Sequence, residues 1–311
     1  MELIRGLHNL RSQHRGCVAT IGNFDGVHLG HQAVLGQLAE KAGEMHLPSV
    51  VITFEPQPQE YFVPQQAKPR LTRLREKLQA LGRFSVNRVL CLRFDRKLAS
   101  MPAMEFIDRI LLQGLDVRYL VVGDDFRFGQ GREGDFRLLQ QVGEDRGFPV
   151  VNMHSFLIDG DRVSSTRIRE ALAEGDLSLA EKLLGRPYRM SGRVAHGDKR
   201  GRTIGFPTAN IHLHRKATPV QGVFAVEMFG IQGEPVRGVA NVGTRPTVDG
   251  TTSILEVHLF DFAREIYGAY VHVNFLHKIR SEMKFSSFEA LKQQILQDVA
   301  SAQGFFAISE E

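Results

Sequence analysis

Ten consecutive residues near the amino terminus carry the groups that handle phosphate: Gly22-Asn23-Phe24-Asp25-Gly26-Val27-His28-Leu29-Gly30-His31. They follow the apolar run Cys17-Val18-Ala19-Thr20-Ile21 and precede a helix-like stretch from His31 to Glu44. Two histidines and three glycines therefore sit where a strand turns into a helix. Glycine lets backbone N–H groups come close to a ligand. A helix N-terminus attracts phosphate through its unpaired N–H groups and its dipole. A histidine placed there can donate to phosphate oxygens as charge builds up on them, and the chemistry this suits is transfer at a nucleotide phosphate. His28 and His31 are the candidate catalytic residues, with Gly22, Phe24 and Gly30 lining the phosphate site. Asn23 and Asp25 either shape the turn or meet the ligand, and the residues alone leave both open. The run is neither a Walker loop nor the dinucleotide fingerprint G-x-G-x-x-G.

Three further stretches have the composition of binding loops. In Ser164-Ser165-Thr166-Arg167-Ile168-Arg169, either serine can cap a following helix, and such a start also presents free N–H groups to an anion. Arg167 and Arg169 are two apart, so on a helix they diverge, and at most one of them is expected to face the phosphates unless the helix begins there. Gly123-Asp124-Asp125-Phe126-Arg127-Phe128-Gly129 sets two acids and two phenylalanines beside two glycines. That mixture suits a pocket for an aromatic ring with polar edges. The run from Gly192 to Asn210 is long, glycine-rich and basic, including His196, Gly197, Gly201 and Arg202. It has the makings of a loop that folds over phosphates by backbone donation. It closes on Pro207-Thr208-Ala209-Asn210. On an extended chain Thr208 and Asn210 point the same way, and a hydroxyl and an amide oxygen are hard ligands suited to Mg²⁺ held with substrate phosphates. In the alternating run Ile254-Leu255-Glu256-Val257-His258, Glu256 and His258 share one face, and either can serve as a base.

The elements that must position these groups fall into two textures. Residues 18–21, 49–54, 89–94, 119–123 and 150–154 read as strands. Helical patterns lie between them at 32–44, 73–82, 103–113 and 135–146. Such alternation predicts a doubly wound α/β domain with a parallel sheet, whose ligand sits beyond the carboxyl ends of its strands. Helical patterns at 166–174 and 177–184 close this half, and Gly185-Arg186-Pro187-Tyr188 reads as a linker. Two domains are expected, 1–184 and 185–311. In the second, short alternating runs at 190–195, 222–229, 236–242, 253–260 and 270–276 predict a small antiparallel β-barrel. A last amphipathic helix is expected at 285–302.

Composition narrows the class. The chain has 311 residues, 42% of them hydrophobic and 24% charged, with a net charge of +4. These are the values of an ordinary globular protein that handles small anions. Lys and Arg are spread along the chain rather than clustered into the basic stripe expected of a nucleic-acid binder. The two cysteines, Cys17 and Cys91, lie in apolar runs and fit a reducing compartment. The amino terminus lacks the apolar core of a signal peptide, and no run approaches the length of a membrane span. A cytoplasmic protein without membrane or nucleic-acid partners is expected.

The ten-residue run resembles the H-x-G-H signature of the nucleotidyltransferase superfamily. Its longer form, G-x-F-D-G-x-H-x-G-H, is similar to the flavin-adenylating branch. Residues 164–169 resemble the I-S-S-T-x-I-R motif of the same superfamily, with Val163 in place of isoleucine. Residues 123–129 resemble the stretch that helps hold the flavin nucleotide, which implies flavin contacts for Asp124, Asp125, Phe126 and Phe128. Residues 192–210 resemble the riboflavin kinase motif G-x-V-x-H-G-x-x-x-G-R-x-x-G-F-P-T-A-N. Three further stretches, 222–224, 241–247 and 256–262, agree with it. The resemblance implies that Glu256 is the base for the riboflavin 5′-hydroxyl. It also implies that Arg280, Glu282 and Lys284 belong to a closing segment near the flavin. In order and extent these motifs resemble bacterial bifunctional riboflavin kinases/FAD synthetases over nearly the whole chain. That implies FMN formation from riboflavin and ATP in the carboxyl-terminal domain, FAD and pyrophosphate formation from FMN and ATP in the amino-terminal one, and Mg²⁺ in each. The competing reading is a nucleotidyltransferase for another substrate whose second half is a nucleic-acid-binding barrel. It is disfavoured by the few aromatics outside the apolar alternation and by Glu256 on a strand.

Overall fold

Strands apolar on both faces can be buried only between two layers of helices, and the first half of the chain forms that arrangement. The computed structural model describes residues 1–153, 155–195, 206–215, 217–247 and 250–308, and of 245–247 and 250–252 the backbone alone. The chain divides into two compact units: Met1–Lys68 with Thr72–Ser164, and Pro69–Leu71 with the chain from Ser165 onward.

In the first unit six parallel strands form one sheet: β1 (Glu2–Arg5), β2 (Cys17–Ile21), β3 (Ser49–Glu55), β4 (Arg88–Arg93), β5 (Val117–Gly123) and β6 (Val150–Met153), in the order β1-β4-β3-β2-β5-β6. Successive residues face opposite layers. Cys17, Ala19, Ile21, Val50 and Ile52 pack against Phe106, Ile107, Ile110 and Leu139 on one side. Val18, Val51 and Val89 pack against Leu35, Leu38 and Leu81 on the other. Helices Leu29–Met45, Leu74–Leu81 and Phe136–Arg146 match the patterns read from the sequence, and the expected helix at 103–113 is Ala103–Phe106 continued as the π-helical Ile107–Gly114. Strand β1 was not expected: it has four residues and buries only Ile4. The strand order reverses between β2 and β5, which are adjacent. That switch point opens a crevice at the carboxyl edge. The histidine turn follows β2 and the Asp124 loop follows β5, so the topology brings both to that crevice.

In the second unit, helices Ser165–Glu174 and Leu177–Leu184 lead into a closed antiparallel barrel. After the short hairpin strands β7 (Leu157–Ile158) and β8 (Asp161–Arg162) of the first unit, the barrel strands are β9 (Tyr188–Ala195), β10 (Ala209–His212), β11 (Gly222–Phe229), β12 (Val236–Thr247), β13 (Gly250–Leu259) and β14 (Tyr270–Arg280). Leu255, Val257 and Leu259 are buried, whereas Ile254, Glu256 and His258 are half-buried on the outward face. The expected linker ends sooner than its sequence indicated. Gly185 closes the preceding helix at φ 71°, and Tyr188 already begins β9. The Tyr188 hydroxyl donates to the Leu71 carbonyl at 3.2 Å, and Arg215 Nη1 donates to that of Arg70 at 2.8 Å. These bonds place Pro69–Leu71 in this unit. The final helix runs Phe288–Ile308, beginning and ending later than expected. Its Ala302 and Phe306 cover Val223, Ala225 and Val239 on the outer wall.

Candidate functional site

The histidine turn is held in a conformation that side-chain-bearing residues rarely adopt. Phe24 (φ 48°), Gly26 (φ 85°) and Val27 (φ 45°) all lie in the left-handed region, which is costly for a β-branched residue. Asp25 is the pin. It is buried, and its Oδ1 accepts from Thr72 N at 2.9 Å and from Thr72 Oγ1 at 3.2 Å, while Gly26 N donates to Thr72 Oγ1 at 2.9 Å. Of the two roles left open for Asp25, the structure therefore shows the shaping one; Asn23 is exposed. His28 caps the helix Leu29–Met45, its Nδ1 accepting from His31 N at 3.3 Å. An accepting Nδ1 carries no proton, so the neutral His28 ring presents Nε2–H. The two rings stack, with centroids 3.7 Å apart and planes 20° apart. A Cβ at Gly30 would stand 3.3 Å from the His28 ring and 3.5 Å from the Val163 carbonyl, so any larger residue would press on the His28 ring. A Cβ at Gly22 would likewise stand 3.1 Å from the Phe24 ring.

Burial first, and then the positive charges of Lys77 and Arg162, push the His31 imidazole well below the ordinary histidine range. His31 is therefore uncharged at neutral pH, and its Nδ1 is buried without a hydrogen-bond partner among the described residues. A neutral, stacked pair at a helix start offers N–H donors aimed by the backbone, the kind of preorganisation that stabilises charge developing on a phosphate.

Beyond β5, Asp124 and Asp125 are gripped from the β7–β8 hairpin. Arg162 Nη2 lies 2.9 Å from Asp125 Oδ2 and 3.4 Å from Asp124 Oδ1, and Ser155 Oγ donates to Asp124 Oδ2 at 2.7 Å. Phe126 is half-buried and stacks on Phe128 at 5.5 Å. Phe128 is placed otherwise than a ligand-facing ring. It is buried in the core, bridges to Gly134, and packs on Phe106 at 5.4 Å. Sequence reasoning passed over an aromatic cluster on the same edge. Tyr61 and Phe62 lie on the helix Pro58–Phe62 after β3, Phe94 follows β4, and their rings are 5.4 to 5.5 Å apart, with Phe62 61% exposed. The signal was an aromatic pair beside two prolines directly after a strand. It also passed over Thr72, Arg162 and Lys77, the last fully buried.

Helix Ser165–Glu174 begins within the serine motif, which places Ser164 at its cap position and Thr166 and Arg167 in its first turn. The boundary between the units falls between Ser164 and Ser165. The two arginines diverge as helical spacing requires. Arg169 is spent on the backbone, Nε donating to Pro69 O at 2.7 Å and Nη1 to Ser165 O at 3.0 Å. Arg167 is half-buried.

On the barrel the register assembles a row that the sequence scattered over three strands. Glu256 lies directly opposite Asn210 on β10 and opposite Asn241 on β12. Paired residues project to the same face with Cβ atoms about 5 Å apart, so a carboxylate stands between two amides. Thr208 immediately precedes β10. His258, the other candidate base, is engaged: its Nδ1 donates to Pro207 O at 3.0 Å, and its ring meets Phe206 at 5.3 Å. It anchors the segment carrying Thr208. Gly192 is required by packing, because a Cβ there would stand 2.5 Å from the His212 carbonyl of β10. Arg280 is also placed otherwise than expected. Its guanidinium makes a two-pronged pair with Asp298 of the last helix, at 2.8 and 2.7 Å. The Glu282 carboxylate closes over Gly243, where a Cβ would meet its oxygen, beside the Asn241 amide. His196, Gly197, Gly201 and Arg202 lie outside the described residues.

Comparison with known proteins finds a family for each half of the chain. The FAD synthetase family matches residues 10–167, and the riboflavin kinase family matches residues 184–306. The chain is 53% identical over 311 residues to the bifunctional riboflavin kinase/FMN adenylyltransferase of Escherichia coli (strain K12), covering 100% of this chain and 99% of that one. It is 54% identical over 306 residues to the protein of the same name from Haemophilus influenzae, covering 98% and 99%. A solved structure from Streptococcus pneumoniae, described as a macrolide-efflux protein, superposes with a TM-score of 0.81 at 33% identity, covering 96% of this chain and 97% of that one. Among the described residues of the present chain no helix is long and apolar enough to cross a membrane. The kinase match to the second half also disfavours a nucleic-acid-binding barrel. With two catalytic families matched in tandem and full-length identity above one half, the chain belongs to the bifunctional riboflavin kinase/FMN adenylyltransferase family.

Proposed function

We propose that the family's two transfers run at the two sites described above: riboflavin phosphorylation on the barrel wall and FMN adenylylation at the carboxyl edge of the sheet. Modules 1–184 and 185–311 remain the proposed catalytic division. In the first reaction the riboflavin 5′-oxygen bonds to the γ-phosphorus of ATP, its proton passes to Glu256, and ADP leaves with the β–γ bridging oxygen. An alcohol needs a base for this step. The row Asn210–Glu256–Asn241 is the observation that carries the assignment. In the second reaction an FMN phosphate oxygen bonds to the α-phosphorus and pyrophosphate leaves. That nucleophile is already ionised, so the site needs donors rather than a base. His28 and His31 supply them with the first-turn N–H groups, and positioning does the rest. Gly22, Phe24 and Gly30 shape the same turn. Ser164, Ser165, Thr166 and Arg167 are the proposed further phosphate contacts. The rings of Phe62 and Phe126, the latter backed by Phe128, would face the flavin, with Asp124 and Asp125 at its polar edge.

Thr208 and Asn210 offer one hydroxyl and one amide oxygen, a donor set that fits a hard cation sharing its shell with substrate phosphates. Among the described residues no group of three or more His, Cys, Asp or Glu could hold a metal ion. Bound there, Mg²⁺ would neutralise phosphate charge. Two buried, unbridged thiols support a reducing cytoplasm as the compartment. The decisive experiment is the double substitution His28→Ala, His31→Ala. It abolishes FAD formation from supplied FMN and leaves riboflavin phosphorylation intact. Retained FAD synthesis would remove the histidine turn from the mechanism.

A further inference from the structure

Three successive carbonyls in the irregular stretch before the helix Leu74–Leu81 are each met by a donor from far along the chain. Arg169 Nε donates to Pro69 O at 2.7 Å, Arg215 Nη1 to Arg70 O at 2.8 Å, and the Tyr188 hydroxyl to Leu71 O at 3.2 Å. Arg215 Nη1 also lies 3.5 Å from Leu71 O and 3.4 Å from the Tyr188 oxygen. Leu71, Tyr188 and Arg215 are buried. Irregular segments ordinarily run over the surface and move more than the elements they join. Here each carbonyl from Pro69 to Leu71 is fixed. That order costs chain entropy, and it is handed to the residue that comes next.

The boundary between the two units falls inside one peptide group, Leu71–Thr72, which is trans. Its C=O belongs to Leu71 and accepts from Tyr188, while its N–H belongs to Thr72 and donates to Asp25 Oδ1 at 2.9 Å. Such a group is planar and rigid, so a bond that fixes its oxygen also fixes its N–H. Donation to the C=O polarises the N–H on the far side and strengthens the bond made there. The Thr72 hydroxyl adds two bonds, donating to Asp25 Oδ1 at 3.2 Å and accepting from Gly26 N at 2.9 Å. Asp25 lies between Phe24 and Gly26, both at positive φ, with Val27 at positive φ beyond. Strained backbone persists only where its surroundings over-determine it. Part of that determination comes from side chains that the second unit carries.

We infer that Tyr188 and Arg215 are positioning residues for FMN adenylylation, although both lie in the part of the chain that the riboflavin kinase family matches. They set the Leu71–Thr72 peptide. That peptide and the Thr72 hydroxyl set Asp25, and Asp25 sets the turn that leads into His28 and its helix. Both side chains act through Asp25 rather than on a substrate. The inference rests on the reading of the histidine turn given above.

The test uses the full chain with ¹⁵N-labelled histidine, as wild type, Tyr188→Phe, Arg215→Met, Asp25→Ala and the double variant Asp25→Ala, Tyr188→Phe. Tyr188→Phe removes the hydroxyl and keeps the ring that packs on Phe275. It lowers kcat for FAD formation from supplied FMN about threefold and Arg215→Met lowers it about tenfold, both short of the about 10²-fold loss that follows a displacement of about 1 Å. KM for FMN stays at its wild-type value, and the His28 and His31 signals shift in both variants. Riboflavin phosphorylation in the same samples is unchanged, which a general loss of structure would not allow. In the Asp25→Ala background Tyr188→Phe has no further effect on FAD formation, because residues acting through one network are not additive. Wild-type kcat for FAD formation with unmoved histidine signals in Tyr188→Phe and Arg215→Met would overturn the inference. So would an equal fall in both activities, or additive losses in the double variant. Should Arg215→Met fail to fold, Tyr188→Phe decides by itself. Loss of FAD formation in the His28/His31 double variant with full rates in Tyr188→Phe and Arg215→Met would sink this inference alone. Activity retained in the His28/His31 variant would instead strike the reading of the site.

Discussion

Replacing Asp25 by alanine tests whether the phosphate turn is held by side-chain pinning. The carboxylate accepts two hydrogen bonds from Thr72, at 2.9 and 3.2 Å, and both residues are buried. Alanine leaves the Thr72 N–H and hydroxyl without their acceptor. A buried donor stripped of its partner costs about 1–3 kcal/mol, so the first unit, with two such donors, should lose about 2–6 kcal/mol. The same pin holds Phe24 and Val27 at φ 48° and 45°, a conformation costing about 1–2 kcal/mol per residue. Once unpinned, the turn relaxes and carries His28 and His31 with it. A displacement of about 1 Å at reacting groups costs about 10²-fold in rate, so FAD formation from FMN should fall by at least that factor. Riboflavin phosphorylation, measured on the same sample, should persist. Thr72→Val keeps the N–H bond to Asp25 and loses the two hydroxyl bonds, so its destabilisation should be smaller. The double variant should be less than additive, because the two residues share one network. An Asp25→Ala protein that unfolds in urea as the wild type does and makes FAD at the wild-type rate would refute this account.

Three other outcomes are expected. Glu256→Gln lowers FMN formation by about 10²–10⁴-fold, the range for loss of a general base, and spares FAD formation from supplied FMN; assays on separate substrates distinguish a joint loss, which would contradict separate sites. Asp298→Ala leaves the part-buried Arg280 guanidinium unpaired and costs about 3–5 kcal/mol, seen as early proteolysis of the carboxyl-terminal helix with a fall in kinase activity. Burial pushes the Cys17 thiol up to about 12 from 9.0, so it resists alkylation in the native state at pH 8. Its contribution to stability is complete below about pH 9 and is lost as pH climbs through about 12, where the thiolate form favours the unfolded chain; native-state labelling at pH 8 would count against it.

The site motifs were legible because their information is local. Glycines at a strand-to-helix turn, a Ser-Ser-Thr helix start and an alternating strand with one acid can be recognised within a few residues. Long apolar runs made the parallel strands equally plain. The short edge strand β1 was not legible, since one buried residue in four gives no periodicity. Strand β10 was masked by the glycine-rich loop before it, and its identity comes from pairing on both sides, with β9 and β13. The roles of Arg169 and Arg280 were hidden for a different reason. Nothing near Arg280 in sequence points to Asp298, eighteen residues on, and a guanidinium looks the same whether it awaits a phosphate or grips a neighbour.

The sequence by itself determined the order of the two catalytic modules, the class of each sheet and the residues able to do the chemistry, because side-chain type and spacing are written in the chain. Tertiary structure alone decided which of those residues stand together. The strand-order reversal sets the histidine turn beside the Asp124 loop, barrel register sets Glu256 between Asn210 and Asn241, and burial keeps the His31 imidazole uncharged. Registry, crossover and desolvation depend on which distant segments pack together, and that information exists only once the chain has folded.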